Sequence, residues 1–90
     1  MSYEIQPPEE FAQLGPLGQR LYLSTRHIMR YRNLESIWIP DIEMCNRARI
    51  PPAKLPKIQN ELDQSGLLRI TPGLVQSYYE LLPIEAEDNE

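Results

Sequence analysis

The chain has 90 residues, 41% of them hydrophobic, and its nine Lys and Arg against thirteen Asp and Glu give a net charge of -4. That length supports one domain with a modest core and no separate catalytic module. One cysteine (Cys45) and one histidine (His27) exclude an internal disulfide and leave no metal-ligand cluster. No run approaches the roughly 18 apolar residues of a spanning helix, and the acidic start, Met1 to Glu10, is no secretion signal, so a soluble, cytoplasmic protein in a reducing compartment is expected.

Residues 1–13, with Pro7-Pro8, three glutamates and few apolar anchors, are expected to be a flexible lead-in. From Gly15 to Tyr31 the residues Leu14, Leu17, Leu21, Ile28 and Met29 recur near a 3.6 period, with Thr25 filling the stripe, which predicts a helix of four turns or more. Arg26 and Arg30 share one of its faces. They read either as solvated surface or as contacts to phosphate. Ile37-Trp38-Ile39, cut off by Pro40, predicts a short strand inside a connector, with Trp38 as a core or edge anchor.

Asp41 is placed to cap a helix running to Arg47 or Ala48, with Ile42, Cys45 and Ala48 facing inward and Cys45 acting as a small buried hydrophobe. Arg49-Ile50-Pro51 makes a turn, and Pro51-Pro52 separates this helix from the next. A helix over 52–64 follows, carrying Leu55, Ile58 and Leu62 on its buried face and ending at Gly66, where a left-handed residue is wanted. Its free side presents Ala53, Lys54, Lys57, Asn60, Glu61 and Gln64. Lys57 and Glu61, four apart, also fit an ordinary solvated ion pair.

Leu67 to Thr71, Pro72-Gly73 and Leu74 to Leu82 read as strand, tight turn and strand, with Arg69 at the base of the hairpin. A second reading of 74–82 stays open, because Thr71-Pro72 also suits a helix start and Leu74, Val75, Tyr78, Tyr79, Leu81 and Leu82 fit a helical stripe. The strand is the preferred one. Residues 83–90 form a proline stop and an acidic tail.

All nine bases lie between Arg20 and Arg69, where five acids leave a charge of +4; the flanks hold eight acids and no base. A basic body between acidic ends suits nucleic acid, although polar termini around a solvated middle would look the same.

The run Asp41 to Leu68, with its helix, Ile-Pro turn, second helix and Ser-Gly-Leu-Leu exit, followed by Tyr79-Glu80-Leu81, resembles the bacterial and archaeal winged helix-turn-helix regulators. The resemblance covers about residues 15–82. It implies a mainly α domain over 14–82, with three helices and a short β-hairpin wing, and the helix 52–64 inserted into the major groove of double-stranded DNA. It implies recognition roles for Lys54, Lys57 and Asn60, a wing-base role for Arg69 and phosphate contacts for Arg26 and Arg30; Ala53 and the turn residue Arg49 complete the candidate surface. Arg49 stands where glycine or a small residue is usual, and Pro56 stands where a Ser or Thr commonly donates to the DNA backbone.

A homodimer that regulates transcription is expected, since one small module covers little DNA and two-fold operators match two-fold proteins. The alternative is a winged-helix module that binds protein in a replication, partition or phage-type assembly, which the acidic flanks suit. Whether Arg26, Arg30, Lys54, Lys57 and Arg69 share one surface discriminates the two. No catalytic residue, metal or cofactor is expected, because no nucleophile, acid-base or phosphate-cradling constellation is present.

Overall fold

The computed structural model describes residues 9–82. In chain order they form α1 (Glu9–Ala12), α2 (Pro16–Arg32), β1 (Ser36–Pro40), α3 (Asp41–Ala48), a 3-10 turn (Pro52–Lys54), α4 (Leu55–Ser65), β2 (Leu68–Thr71) and β3 (Gln76–Leu81). Helices α3 and α4 pack against an antiparallel sheet in which β3 lies between β1 and β2, and α2 packs on α3 and α4. The expected three helices and hairpin are therefore four helices and a three-stranded sheet: α1 precedes the three, and β1 joins the hairpin by pairing with β3.

Within 74–82 the strand alternative holds for Gln76–Leu81, whereas Leu74 and Val75 belong to the hairpin loop, which is longer than the expected tight Pro72-Gly73 turn. Ser77 and Tyr79 point into the core while Gln76, Tyr78 and Glu80 stay nearer solvent, a two-residue alternation that no helix would produce. Partners on both sides fix the register, with Tyr79 opposite Ile37 of β1 and Ile70 of β2. The core gathers Leu21, Met29, Met44, Leu62, Leu68 and Tyr79, all essentially inaccessible to solvent.

Each helix boundary has a local cause. Pro16 in the first turn costs α2 little, since that amide has no intrahelical acceptor, and Thr25 in its middle is buried by donating its hydroxyl to the Leu21 carbonyl at 2.7 Å. The helix ends at left-handed Asn33 (φ 57°), and the Leu34 amide reaches back to the Met29 carbonyl. Glu9–Ala12 form one helical turn and Phe11 packs against the core, so this part of the expected lead-in is ordered; residues 1–8 and the tail 83–90 lie outside the described residues.

Two expectations for α3 are corrected. Asp41 is not its cap: Pro40 holds that position without a side-chain bond, while the Asp41 carboxylate accepts from the Ser77 hydroxyl at 2.8 Å. Ile42 does not face inward but is 72% exposed. Steps of three residues drift by about 60° each around a helix, and the buried face is centred on Met44, Cys45 and Ala48, which leaves Ile42 outside it.

The helix expected over 52–64 is in two parts. Pro56 has no amide to offer the Pro52 carbonyl, so the Leu55 amide takes it three residues on and tightens the first turn to 3-10 geometry. Regular α4 starts at Leu55 and ends at Gly66 (φ 85°).

Candidate nucleic-acid interface

The turn between α3 and α4 is held from outside. Arg49 adopts a left-handed backbone (φ 58°), which disfavours any residue with a β-carbon, and the Ile50 amide closes on the Cys45 carbonyl while its side chain enters the core. Arg20 of α2 donates to the carbonyls of Ala48 and Arg49, each at 2.9 Å, and so satisfies the end of α3. Guanidinium geometry suits two neighbouring carbonyls, and a cation is favoured at a helix C-terminus.

The inner side of α4 is fixed by a buried polar chain. Gln59 donates to the Ser77 hydroxyl at 3.0 Å and the Tyr79 hydroxyl at 2.9 Å, and the Ser77 hydroxyl in turn donates to Asp41. Burial pushes the Tyr79 phenol up to about 12; the Gln59 hydrogen bond opposes this and the nearby Asp41 and Cys45 add to it. Burial, with a smaller effect of Asp41, also raises the Cys45 thiol. At the far end of α4 the Asp63 carboxylate accepts the Ile70 amide at 2.9 Å, which ties the helix to β2.

The outer side is free. Ala53, Lys54, Lys57, Asn60, Glu61 and Gln64 are all exposed, and neither lysine has an ion-pair or hydrogen-bonding partner among the described residues. The Lys57–Glu61 pair that the spacing allows is not formed. Beside this strip lies the hairpin loop, bonded to α3 by the Asp41 amide and the Val75 carbonyl at 2.9 Å. Gly73 in the loop admits no larger residue, because a β-carbon would meet the Gln76 carbonyl oxygen at 2.2 Å.

The remaining candidates lie elsewhere. Arg69 is on the sheet face opposite the helices, 3.9 Å from Glu80 and on the same face as the Trp38–Tyr78 ring pair. Arg26 and Arg30 line an open groove between α2 and α3, in which Arg26 is engaged with Tyr22: one nitrogen donates to the hydroxyl at 2.9 Å and its carbon sits 5.8 Å from the ring centre. The five cations whose sharing of one surface was to discriminate DNA binding from protein binding lie on three: Lys54 and Lys57 at α4, Arg69 on the outer sheet, Arg26 and Arg30 in the groove.

Three features were not anticipated. Gln59 is a buried connector, a role detectable only once β3 is known to lie behind α4. Arg20 is a structural cap whose acceptors are 28 and 29 residues away. The exposed side chains of Ile42, Leu74 and Val75, with Pro40, Pro52 and Pro56, border an apolar hollow of about 560 Å³ where the hairpin loop meets the two helix starts.

Comparison of the chain with protein families, with curated proteins and with solved structures finds no match. Among the described residues no helix is long and apolar enough to cross a membrane, and no group of three His, Cys, Asp or Glu could hold a metal ion.

Proposed function

We propose that this is a DNA-binding module of the winged helix-turn-helix type, with α4 as the element that enters the major groove and β2–β3 as the wing. The unpaired strip Lys54, Lys57, Asn60 and Gln64 on the outer side of α4 carries the reading: cations at the start of the helix suit phosphates, and an amide one turn further along suits a base edge. Arg49, exposed in the turn, extends the positive side. Pro52 and Pro56 offer no amides, so phosphate binding here falls to side chains. The biological unit in this reading is a homodimer acting in transcription regulation, since one module of this size covers a single half-site.

The test is fluorescence anisotropy of the full chain with random-sequence duplex DNA across a salt series, beside the Lys54→Ala/Lys57→Ala variant. Binding that weakens steeply with salt is expected, with the slope reduced by about 2 in the variant, near 0.9 for each phosphate no longer neutralised. Absence of binding at low salt would sink the proposal.

Two observations favour a second reading, a protein-binding winged helix, and the first is that the five cations are divided over three surfaces. Loop residues 72–75 contain no cation, and Leu74 and Val75 are presented to solvent beside Ile42 at the place where a DNA-contacting wing would be polar. In that reading Leu74→Ser/Val75→Ser abolishes partner binding and Lys54→Ala/Lys57→Ala does not.

A further inference from the structure

The groove between α2 and α3 is separate from the surface assigned to DNA, and its chemistry is one-sided. Arg26, His27, Arg30 and Tyr31 of α2 and Arg47 of α3 line a space of about 810 Å³, and an adjoining hollow of about 210 Å³ adds Arg32. No carboxylate is in either lining. Arg47 is held at the rim by Glu43 at 2.9 Å, whereas Arg30 and Arg32 have no ion-pair partner among the described residues.

The chain leaves its last strand beside this groove. Glu80 stands opposite Ser36 in the sheet, and the Leu81 amide donates to the Glu35 carbonyl at 2.8 Å. Leu34 in turn is bonded back to Met29, so the exit of β3 is at the C-terminal end of α2, where Arg30, Tyr31 and Arg32 lie. The eight residues that follow Leu82 contain Glu85, Glu87, Asp88 and Glu90 and no base. Eight residues span up to about 26 Å, while the way back along α2 from Arg32 to His27 is only about 8 Å.

We propose that residues 83–90 dock in the α2–α3 groove, with their carboxylates on Arg30, Arg32 and the outer side of Arg47. Opposite charge, an adjacent exit and sufficient reach all point to the same occupant. Docking there also holds four acids away from Lys54 and Lys57. The inference does not depend on DNA being the ligand of α4.

The experiment is paramagnetic broadening of backbone amide signals in the full chain. A nitroxide is placed at residue 89 through Asn89→Cys, in a Cys45→Ala background. At about 0.05 M salt, the His27, Tyr31 and Arg47 signals are expected to fall by more than about twofold and to recover near 1 M, where screening acts over about 3 Å. Arg30→Glu/Arg32→Glu should remove the loss even at low salt, with unchanged Leu62 and Tyr79 shifts reporting an intact fold. Broadening insensitive to both salt and charge reversal means tethering without docking and overturns the proposal. So does broadening centred on Lys54 and Lys57, or broadening that appears only between two chains when labelled and unlabelled protein are mixed.

Discussion

The two sides of α4 are built on opposite rules. On the inner side every polar group is engaged: Gln59 holds Ser77 and Tyr79, and Ser77 holds Asp41. On the outer side Lys54 and Lys57 have no partner among the described residues. A buried polar group without a partner costs about 1–3 kcal/mol, so the inner side is constrained by folding, whereas exposed lysines are free of that constraint and available to a ligand. Residue type alone does not mark a binding surface. Arg20 and Arg26, equally cationic, are occupied by their own chain.

Substitutions on the two sides should therefore separate stability from binding. The largest effect is expected for Gln59→Ala, which leaves the Tyr79 hydroxyl without a partner, takes one of two from Ser77 and opens a small cavity; a loss of about 3 kcal/mol in urea unfolding would bear this out, and a change under about 1 kcal/mol would break the contrast.

Next comes alkaline pH. The folded Tyr79 phenol titrates near 12 against an ordinary value of 10, so its contribution is intact below pH 10 and lost as pH rises to 12. That amounts to about 2.7 kcal/mol, two pH units at about 1.36 kcal/mol each. Tyr79→Phe should flatten the stability profile in that window, although it removes the Gln59 hydrogen bond at all pH values.

On the outer side, Lys54→Ala/Lys57→Ala should reduce the salt slope of DNA binding and leave the free energy of urea unfolding within about 0.5 kcal/mol of the parent, as exposed positions generally do. At the turn that aims α4, Arg20→Ala is expected to cost about 1 kcal/mol by freeing the Ala48 and Arg49 carbonyls. The smallest effect is a gain. Arg49→Gly relieves the left-handed backbone and should raise stability by about 0.5–1 kcal/mol while removing one cation from the candidate surface, so stability and affinity would move in opposite directions.

Helices α2, α3 and α4, the strand before α3 and the hairpin after α4 were legible because each rests on a local signal: period, proline, or a left-handed residue at a helix end; α1, inside the stretch read as a flexible lead-in, was not. Where two local signals competed, as at 74–82, strand pairing decided, since Ile37 and Ile70 flank Tyr79 from both sides. Ile42 was misplaced because an i, i+3, i+6 reading follows a line that leaves the buried face. The exposed lysines of α4 were readable from spacing. The division of the cations was not, because it depends on contacts across the fold: Arg20 on the end of α3, Arg69 beside Glu80 on the far side of the sheet, and Arg47 meeting α2 across a groove.

The order of strands in the sheet bears on synthesis. Because β3 is the central strand and also the last described element, β1 and β2 have no sheet partner until residues 76–81 are made. A nascent chain carries Ile37, Ile39, Leu68 and Ile70 without their cover, at elongation rates of about 5–20 residues per second, until β3 emerges and joins both strands at once. Completion of the fold is therefore a late event, and a chain cut short of Leu81 would leave two unmatched strand edges exposed to other chains.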